Sequence, residues 1–487
     1  MSSGTLRVVV IGGGISGLAA AHALVRDANR EGRSLRLTVL EASQRLGGNI
    51  RTEHQDGFVI EAGPDSFIVT RPHALQLCES LGLGPRLIET RPENRRVYIA
   101  RGTELHPMPE GLVLGVPSRI RPFMRSPLLS MRGKLRALRE VTKTDVDTSG
   151  GDVSIGEFLE RRFGREMVDV ILEPLLGGIY AGDAYRLSLR STFPEWFAQS
   201  GRGTSLLGAA RAERKAKRKD AGAPSASPFR SLRSGMGELV GALVQQIGSG
   251  AVRLNTRVLG IERRGGLFRV SIAHGEVEAD HVVVALPSSV AANVLRSCDE
   301  ALSRELASIE YVSTATVAFG YRREQVQHPL DAAGFLVPKS EGRRITAGTF
   351  NSSKWPDRAP AGHVLMRGFV GGAHDESTAS LPDNELVEAV RKDLEALLGI
   401  SGEPLFAKVF RYIKASPQPL VGHFDRIARI HSQLAHVPGL HVIGNAYDGV
   451  GIPDCVRLAE QAVASIRLAR ISSAGSIQPA GGQDLMQ

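Results

Sequence analysis

Gly12, Gly14 and Gly17 stand in a G-x-G-x-x-G spacing directly after Val8-Val9-Val10-Ile11, and an acid, Glu41, closes the next apolar run, Leu35 to Leu40. That order suits one chemistry, the gripping of a dinucleotide. Gly12 permits the tight turn, Gly14 lets backbone approach a pyrophosphate, and Gly17 lets the following helix come close to the strand. The helix start presents unpaired N–H groups and a positive dipole end to phosphate, which places Gly13, Ile15 and Ser16 at the ligand as well. Glu41, with Ala42 beside it, can accept hydrogen bonds from a ribose diol. The glycines alone are a weak signal; strand, glycines, helix, strand and terminal acid in that order are a strong one.

Other stretches share this character. Arg45-Leu-Gly47-Gly48-Asn49 follows Glu41, and paired glycines let the chain run close to a bound molecule. Glu61-Ala-Gly63-Pro64-Asp65-Ser66-Phe67 reads as a strand ending in a turn. Tyr180-Ala181-Gly182-Asp183 offers backbone with little side chain, across which a flat ligand can pass. Near the C-terminus, Gly449-Val450-Gly451-Ile452-Pro453-Asp454-Cys455 follows a strand, and Asp454 is expected to cap a helix whose start faces the cofactor. Asn94-Arg95-Arg96 offers guanidinium groups, whose fork can make two charge-assisted bonds to a carboxylate. No residue stands out as a general base: His54, His73 and His106 are scattered. Cys78, Cys298 and Cys455 are far apart and match no metal spacing, which predicts buried thiols in a reducing compartment and no metal centre.

The elements that hold these residues follow from apolar period and punctuation. Val8–Ile11 predicts a strand buried on both faces, and the alanines after Gly17 predict a helix. Ser154 to Gly164 predicts a helix with a capping box at Ser154 and Glu157 and a glycine stop. Further helices are expected over 235–247 and 383–399, and strands over 252–261, 280–287 and 311–321, the last half-buried. Residues 118–143 are basic, with Phe123, Met124, Leu128, Leu129 and Met131 among them; they read either as an amphipathic surface resting on lipid or as helix packed on the core. Residues 201–231, dense in charge from Arg211 to Lys219, read as a mobile surface loop, and 473–487 as a disordered tail.

At 487 residues the chain is long enough for two or three domains. Hydrophobic content of 42% and charged content of 23% are ordinary for a soluble protein, and no apolar run is long enough to span a bilayer. The first strand begins a few residues after Met1, which predicts no secretory signal and a cytoplasmic location; the lipid-facing reading of 118–143 would make it peripheral on the inner face of the cell membrane. The charge of +9 favours acidic partners: nucleic acid, anionic lipid or a polycarboxylate substrate.

Taken together, the motifs resemble the amine-oxidase-like flavoproteins and, within them, the oxygen-dependent protoporphyrinogen and coproporphyrinogen oxidases of haem synthesis. The resemblance rests on Arg45-Leu-Gly-Gly, Glu61-Ala-Gly-Pro-Asp-Ser-Phe67, Gly178-Ile-Tyr-Ala-Gly-Asp183 and Gly449-Val-Gly-Ile-Pro-Asp-Cys455, and it covers nearly the whole chain. Asn49 stands where many relatives carry a further Arg, and Pro419 where they carry Tyr. The resemblance implies an α/β fold with a discontinuous Rossmann-type FAD domain (1–85, 232–300, 436–472). It implies a mainly helical, membrane-associating subdomain (86–231) and an α+β substrate domain (301–435). It implies FAD contacts from Arg45, Gly48, Asn49, Gly63, Pro64, Asp65, Ser66, Val258, Tyr412, Val450, Gly451 and Ile452. For the substrate it implies Arg95 as the propionate anchor, Ala181 and Gly182 across the macrocycle, and walls at Gly334, Leu336, Phe350 and Phe369, the apolar ones otherwise reading as core.

The implied activity is oxidation of protoporphyrinogen IX with oxygen as acceptor, Arg95 tilting the reading to that substrate over the alternative, coproporphyrinogen III. Ferrochelatase, an anionic membrane and a second copy of the chain are the implied partners, and nucleic acid is not. A different amine-oxidase-like flavoprotein, or a non-catalytic basic binding module, are the rival readings.

Overall fold

In the computed structural model of the protein, residues 5–113, 115–142, 151–200, 205–219 and 227–475 are described. The apolar run Leu6–Ile11 forms β1, the centre of a five-stranded parallel sheet in the order Val252–Arg253, β2 (Leu35–Leu40), β1, His281–Val284, Leu440–Val442. Its side chains alternate between two buried layers, as a strand's period of two demands. Val8 and Val10 pack under the helices, whereas Val9 and Ile11 pack on the far face with Val282 and Val284. α1 (Ile15–Glu31) starts at Gly14 and is closed by Gly32 at a φ of 61°. Its alanines share a core with Val456, Ala459 and Val463 of the last helix, Ile452–Gly475, so the two ends of the described chain meet.

A second, seven-stranded sheet runs Phe406–Pro417, Tyr311–Arg322, His363–Gly371, Ile345–Thr349, Gly334–Leu336, Val97–Arg101, Glu104–Pro107. Tyr311–Arg322 is buried on both faces rather than half-buried. Ala315, Val317 and Phe319 pack with Leu386, Val390 and Leu394 of the helix Asp383–Leu398, and Ala318 packs with Phe58, Ile60 and Ala62 of the nucleotide unit.

Two expected boundaries move. Val97–Arg101 and Glu104–Pro107 belong to the second sheet and not to the helical unit: Tyr98 and Ala100 fill the sheet's core, while Ile99 alone faces the helices. The helix His423–Ala435 packs Ile427 and Ile430 with Val9 and Ile11, on the nucleotide sheet. The single strand expected over 252–261 is two, in different sheets, because the chain turns at Asn255, whose φ is 51°.

The expected loop at 201–231 is also corrected. Leu206–Lys219 is a helix, and Leu206, Leu207 and Ala210 bury against Phe158, Leu159 and Phe163. Buried Glu140 holds its start, accepting from the N–H groups of Leu206 (2.7 Å) and Leu207 (3.1 Å) and from Ser205 Oγ (2.7 Å). Glu140 also pairs with the equally buried Arg162 at 2.7 Å. Residues 201–204 and 220–226 of that expectation lie outside the described residues, as do 476–487 of the expected tail; 473–475 end the last helix.

Within 118–143, Phe123, Leu128 and Leu129 pack inward, while Ile120, Met131 and Leu135 are exposed; Lys143 lies outside the described residues. Among the described residues no helix is long and apolar enough to cross a membrane. Glu140→Ala leaves Arg162 and two helix-start N–H groups without their shared acceptor. A loss of about 3–5 kcal/mol is expected, as for other broken buried pairs. It is read from the urea midpoint, with trypsin cutting first inside Leu206–Lys219; an unchanged midpoint and digestion pattern would rule the clamp out.

Candidate active site

The glycine stretch after β1 is built as a cradle. A Cβ at Gly17 would stand 1.9 Å from the Gly12 carbonyl oxygen, so helix and strand are in backbone contact there. A Cβ at Gly14 would meet nothing nearer than Gly48 Cα at 3.9 Å and would project into open space. Glu41 closes the cradle from β2: one carboxylate oxygen accepts from Gly13 N–H (2.7 Å), the other from Ser43 N–H (2.8 Å). The Gly47 N–H donates to the Gly13 carbonyl at 2.8 Å, joining the second glycine loop to the first. The Arg45 guanidinium donates to the Gly48, Leu46 and Ile50 carbonyls at 2.6, 3.2 and 3.3 Å, and so shapes that loop from outside.

A cavity of about 1490 Å³ runs from this cradle to the second sheet. Small-molecule sites usually hold about 300–1,000 Å³, so this one has room for two ligands end to end. Its middle is formed by the Gly63–Ser66 turn, Tyr412, and Val450 to Ile452 at the start of the last helix. Its far part is walled by Gly177, Gly178, Ile179, Leu336 and Phe369.

The sequence matches the family model of flavin-containing amine oxidoreductases over residues 15–467. The chain belongs to that family. FAD is its cofactor, and the enzyme is an oxidoreductase. The flavoprotein is 38% identical to the coproporphyrinogen III oxidase of Bacillus subtilis (strain 168), over 95% of this chain and 98% of that one. It is 31% identical to the chloroplastic protoporphyrinogen oxidase 1 of Arabidopsis thaliana, over 93% of this chain and 86% of that one. A crystal structure from Exiguobacterium sp. 255-15 superposes with a TM-score of 0.85 at 34% identity, covering 96% of this chain and all 100% of that chain. Reduced UDP-galactopyranose mutase, at 16% identity and a TM-score of 0.70 over 96% of this chain and 94% of its own, shares the fold alone.

The cradle fits the adenosine diphosphate half of the flavoprotein's cofactor: donors at the start of α1, an acid at the end of β2 and an open Gly14 between them. Of the residues expected at the cofactor, Gly12, Gly14, Ile15, Ser16, Glu41, Gly48, Asn49, Gly63, Pro64, Asp65, Ser66, Tyr412, Val450, Gly451 and Ile452 line the cavity. Gly13 and Gly17 stand behind it as packing positions, and Arg45 acts through the loop's carbonyls. Two expected contacts are corrected: Ala42 is exposed off the cavity, and Val258 is buried in the layer beneath the sheet.

Of the substrate residues, Arg95, Ala181, Gly182, Gly334, Leu336 and Phe369 line the cavity. Phe350 does not: it is 1% exposed and packs between His328 and Phe335 in the core of the second sheet. Arg95 is paired with Glu89 at 3.4 Å, and Arg230 shares that carboxylate at 2.7 Å. Asp454 is not a cap; it sits in the first turn of Ile452–Gly475 and pairs with Arg71. His73 faces Glu460 at 3.4 Å, His106 faces Glu104 at 3.5 Å, and His54 bonds Ser234 O at 3.1 Å. Burial pushes the Cys78 thiol up to about 12 and the Cys455 thiol to about 11.

Sequence reading missed the charged groups behind the Gly63–Ser66 turn. Asp65 accepts from Lys354 Nζ at 2.9 Å and Trp355 Nε1 at 3.1 Å, with Arg367 at 3.5 Å. Arg367, 3% exposed, donates from one nitrogen to the carbonyl oxygens of Glu61 and Gly63, both at 2.8 Å. Their signal was present only as Lys354-Trp355-Pro356 and an odd Arg in an apolar strand. Missed too were Glu173, Lys339 and His374 at the far rim, where His374 Nε2 lies 2.7 Å from Glu173 and Nδ1 lies 3.3 Å from Lys339 Nζ. Glu173, Asp183 and His374 bring donor atoms within 4.8 Å of one another, but the Lys339 ammonium occupies one side of that group.

Gly14→Ala is expected to lose flavin without disturbing the fold, read as a low ratio of visible to ultraviolet absorbance with a urea midpoint equal to that of flavin-free wild type. Gly17→Ala, against a carbonyl, should lower both. A yellow Gly14→Ala protein would place the pyrophosphate elsewhere.

Burial alone would raise the Asp65 pKa, but Lys354 and Arg367 outweigh it and hold the carboxyl well below the usual range. A depressed carboxylate stabilises the fold above its unfolded pKa and loses that contribution as the pH falls. Wild type should therefore exceed Asp65→Asn by about 3–5 kcal/mol at neutral pH. The gap should narrow once the pH drops below about 4. Urea midpoints at pH 7 and pH 3 measure this, and a constant gap would show the pairs to be unimportant.

Proposed function

We propose that this flavoprotein oxidises coproporphyrinogen III to coproporphyrin III, with oxygen as the final acceptor. The enzyme is a porphyrinogen oxidase of haem biosynthesis. The observation that carries the reading is the single cavity of about 1490 Å³, which continues past the cofactor cradle into a wide slot. That slot is lined by backbone and apolar side chains: Gly177, Gly178 and Ile179, with Leu336 packed close to Gly178, and Phe369. A flat macrocycle is the ligand class for such walls.

Charge supports the choice of substrate. Coproporphyrinogen III carries a propionate on each of its four pyrrole rings, and protoporphyrinogen IX on only two. Besides Arg95, the far part of the cavity is edged by Lys339, Arg343, Arg344 and Lys414. Protoporphyrinogen IX is the second reading, favoured by Arg95 on the wall.

The bound flavin supplies the chemistry, accepting electrons from the macrocycle and passing them to oxygen. The chain holds, orients and keeps dry. The carboxylates on the cavity wall are all engaged: Glu41 by Gly13 and Ser43, Asp65 by Lys354, Glu173 by His374, Asp375 by Thr378 and Arg344. None is free to act as a general base. Burial pushes the Tyr180 and Tyr412 phenols up to about 12, so both are neutral at working pH. His374 on the rim is held between Glu173 and Lys339, so the substrate must lose its hydrogen by placement rather than by a free basic side chain.

A planar product suits transfer to a metal-inserting partner such as ferrochelatase. Exposed Ile120, Met131 and Leu135, set among Arg119, Arg121 and Arg132, suit contact with an anionic membrane at the inner face of the cell membrane. Anaerobic addition of coproporphyrinogen III should bleach the visible flavin band, and admitting oxygen should restore it. Bleaching by amines and by neither porphyrinogen would overturn the assignment, and a colourless protein with salt-sensitive DNA affinity would support a binding module instead.

A further inference from the structure

The cavity's cations are not alike. Lys354 and Arg367 are paired with Asp65, Arg343 with Asp393, Arg344 with Asp375, Lys414 with Glu376, and Arg95 with Glu89. Lys339 is different: among the described residues no carboxylate comes within ion-pair distance of it, and its nearest polar partner is a ring nitrogen, His374 Nδ1 at 3.3 Å. The other nitrogen of that ring, Nε2, lies 2.7 Å from Glu173. Donation from Nε2–H to Glu173 and acceptance at Nδ1 from the ammonium fit one neutral tautomer. Glu173 is the first residue of Glu173–Tyr180, the helix whose glycines wall the slot. The ammonium is thus aimed by a carboxylate that it does not itself touch, and its full charge is kept for a ligand.

Its place relative to Arg95 follows from strand register. Gly334–Leu336 pairs in parallel with Val97–Arg101, Gly334 opposite Val97 and Leu336 opposite Ile99. Arg95 lies before the first of these pairs and Lys339 beyond the last. The register separates them by seven residues, so at about 3.3 Å of rise per residue the two are at most about 23 Å apart along the wall that carries Leu336. That is the scale of a tetrapyrrole with its side chains.

We infer that Lys339, positioned by His374 and Glu173, binds the carboxylates on the edge of the macrocycle opposite to Arg95 and thereby selects a four-propionate porphyrinogen over a two-propionate one. The inference rests on the porphyrinogen-oxidase reading. A two-propionate substrate has both carboxylates on neighbouring rings, so one cationic end suffices for it. A four-propionate substrate presents carboxylates at both ends of the slot and gains from a second anchor.

The test uses the flavin-loaded protein with each porphyrinogen, alongside binding of the oxidised product coproporphyrin III followed by fluorescence. Lys339→Gln should raise KM for coproporphyrinogen III, and weaken coproporphyrin III binding, by about tenfold, as for loss of one charge-assisted pair. The ratio of kcat/KM for coproporphyrinogen III to that for protoporphyrinogen IX should fall to the same extent, with kcat nearly held. Lys339→Arg should restore most of the ratio. His374→Ala should lower it less than Lys339→Gln does. A Lys339→Gln protein with an unchanged ratio, or with both substrates weakened equally, overturns the inference while leaving the oxidase reading intact. A wild-type protein that oxidises neither porphyrinogen overturns the reading beneath it.

Discussion

The geometry of this protein depends on a cluster of buried charges at the seam between its two sheets. Glu61 and Asp65 come from the nucleotide unit; Lys354, Arg358 and Arg367 come from the second sheet and its loops. Glu61 is 1% exposed and Arg358 likewise 1%, with 4.0 Å between them. Burial pushes the Glu61 pKa up and the Arg358 pKa down, each toward its neutral form. Such groups are costly to desolvate and contribute little net stability, but breaking one pair leaves a charge stranded. Their effect is to exclude other docking angles. Arg367 reads the backbone of the very turn that lines the cavity, bonding the Glu61 and Gly63 carbonyls together. A shift of the second sheet by a fraction of a strand would lose both bonds and leave a buried guanidinium unsatisfied.

The cofactor half of the cavity inherits its shape from local sequence, which is why it could be read there. A glycine forced into backbone contact, a helix start and an acid two turns of chain later need no knowledge of distant residues. The meeting of the two termini was readable for the same reason, since each end carries its own glycine-rich bend before a helix. Side chains that act through backbone were harder. Arg45 was expected to touch the cofactor, yet its guanidinium satisfies three carbonyls of its own loop. Val258 was assigned from resemblance, and the turn at Asn255 sends it into a different sheet.

The substrate half depends on pairings between residues far apart in the chain, and there the sequence was a poor guide. Val97–Arg101 lies beside Gly334–Leu336 across nearly half the length of the chain, a neighbourhood that no period can announce. Phe369 and Phe350 look alike in sequence; strand register turns one to the cavity and leaves the other in the core with His328. The charged run from Arg211 to Lys219 hid an amphipathic helix because its apolar contacts, Leu206, Leu207 and Ala210, precede most of the charge. Glu140, which holds that helix, stands in a stretch of basic residues where a lone acid carries no pattern.

The two halves also divide the chemistry. Between the cation at one end of the slot and those at the other, the cavity wall offers glycines, aliphatic side chains, neutral phenols and charges already paired with one another, as Asp65 is with Lys354 and Arg367. Charges near the ends can orient an anionic macrocycle, half-buried Arg95 with little screening and the exposed Lys339, Arg344 and Lys414 once the ligand covers them. The middle can then remain free of any group that would trap a proton or a partly oxidised intermediate. A basic side chain there would speed one hydrogen's departure and hinder the next, once the macrocycle had turned or tautomerised. A wall whose titratable groups are neutral or already paired treats successive oxidations alike, and this is the arrangement that a reaction repeated on one bound ring requires.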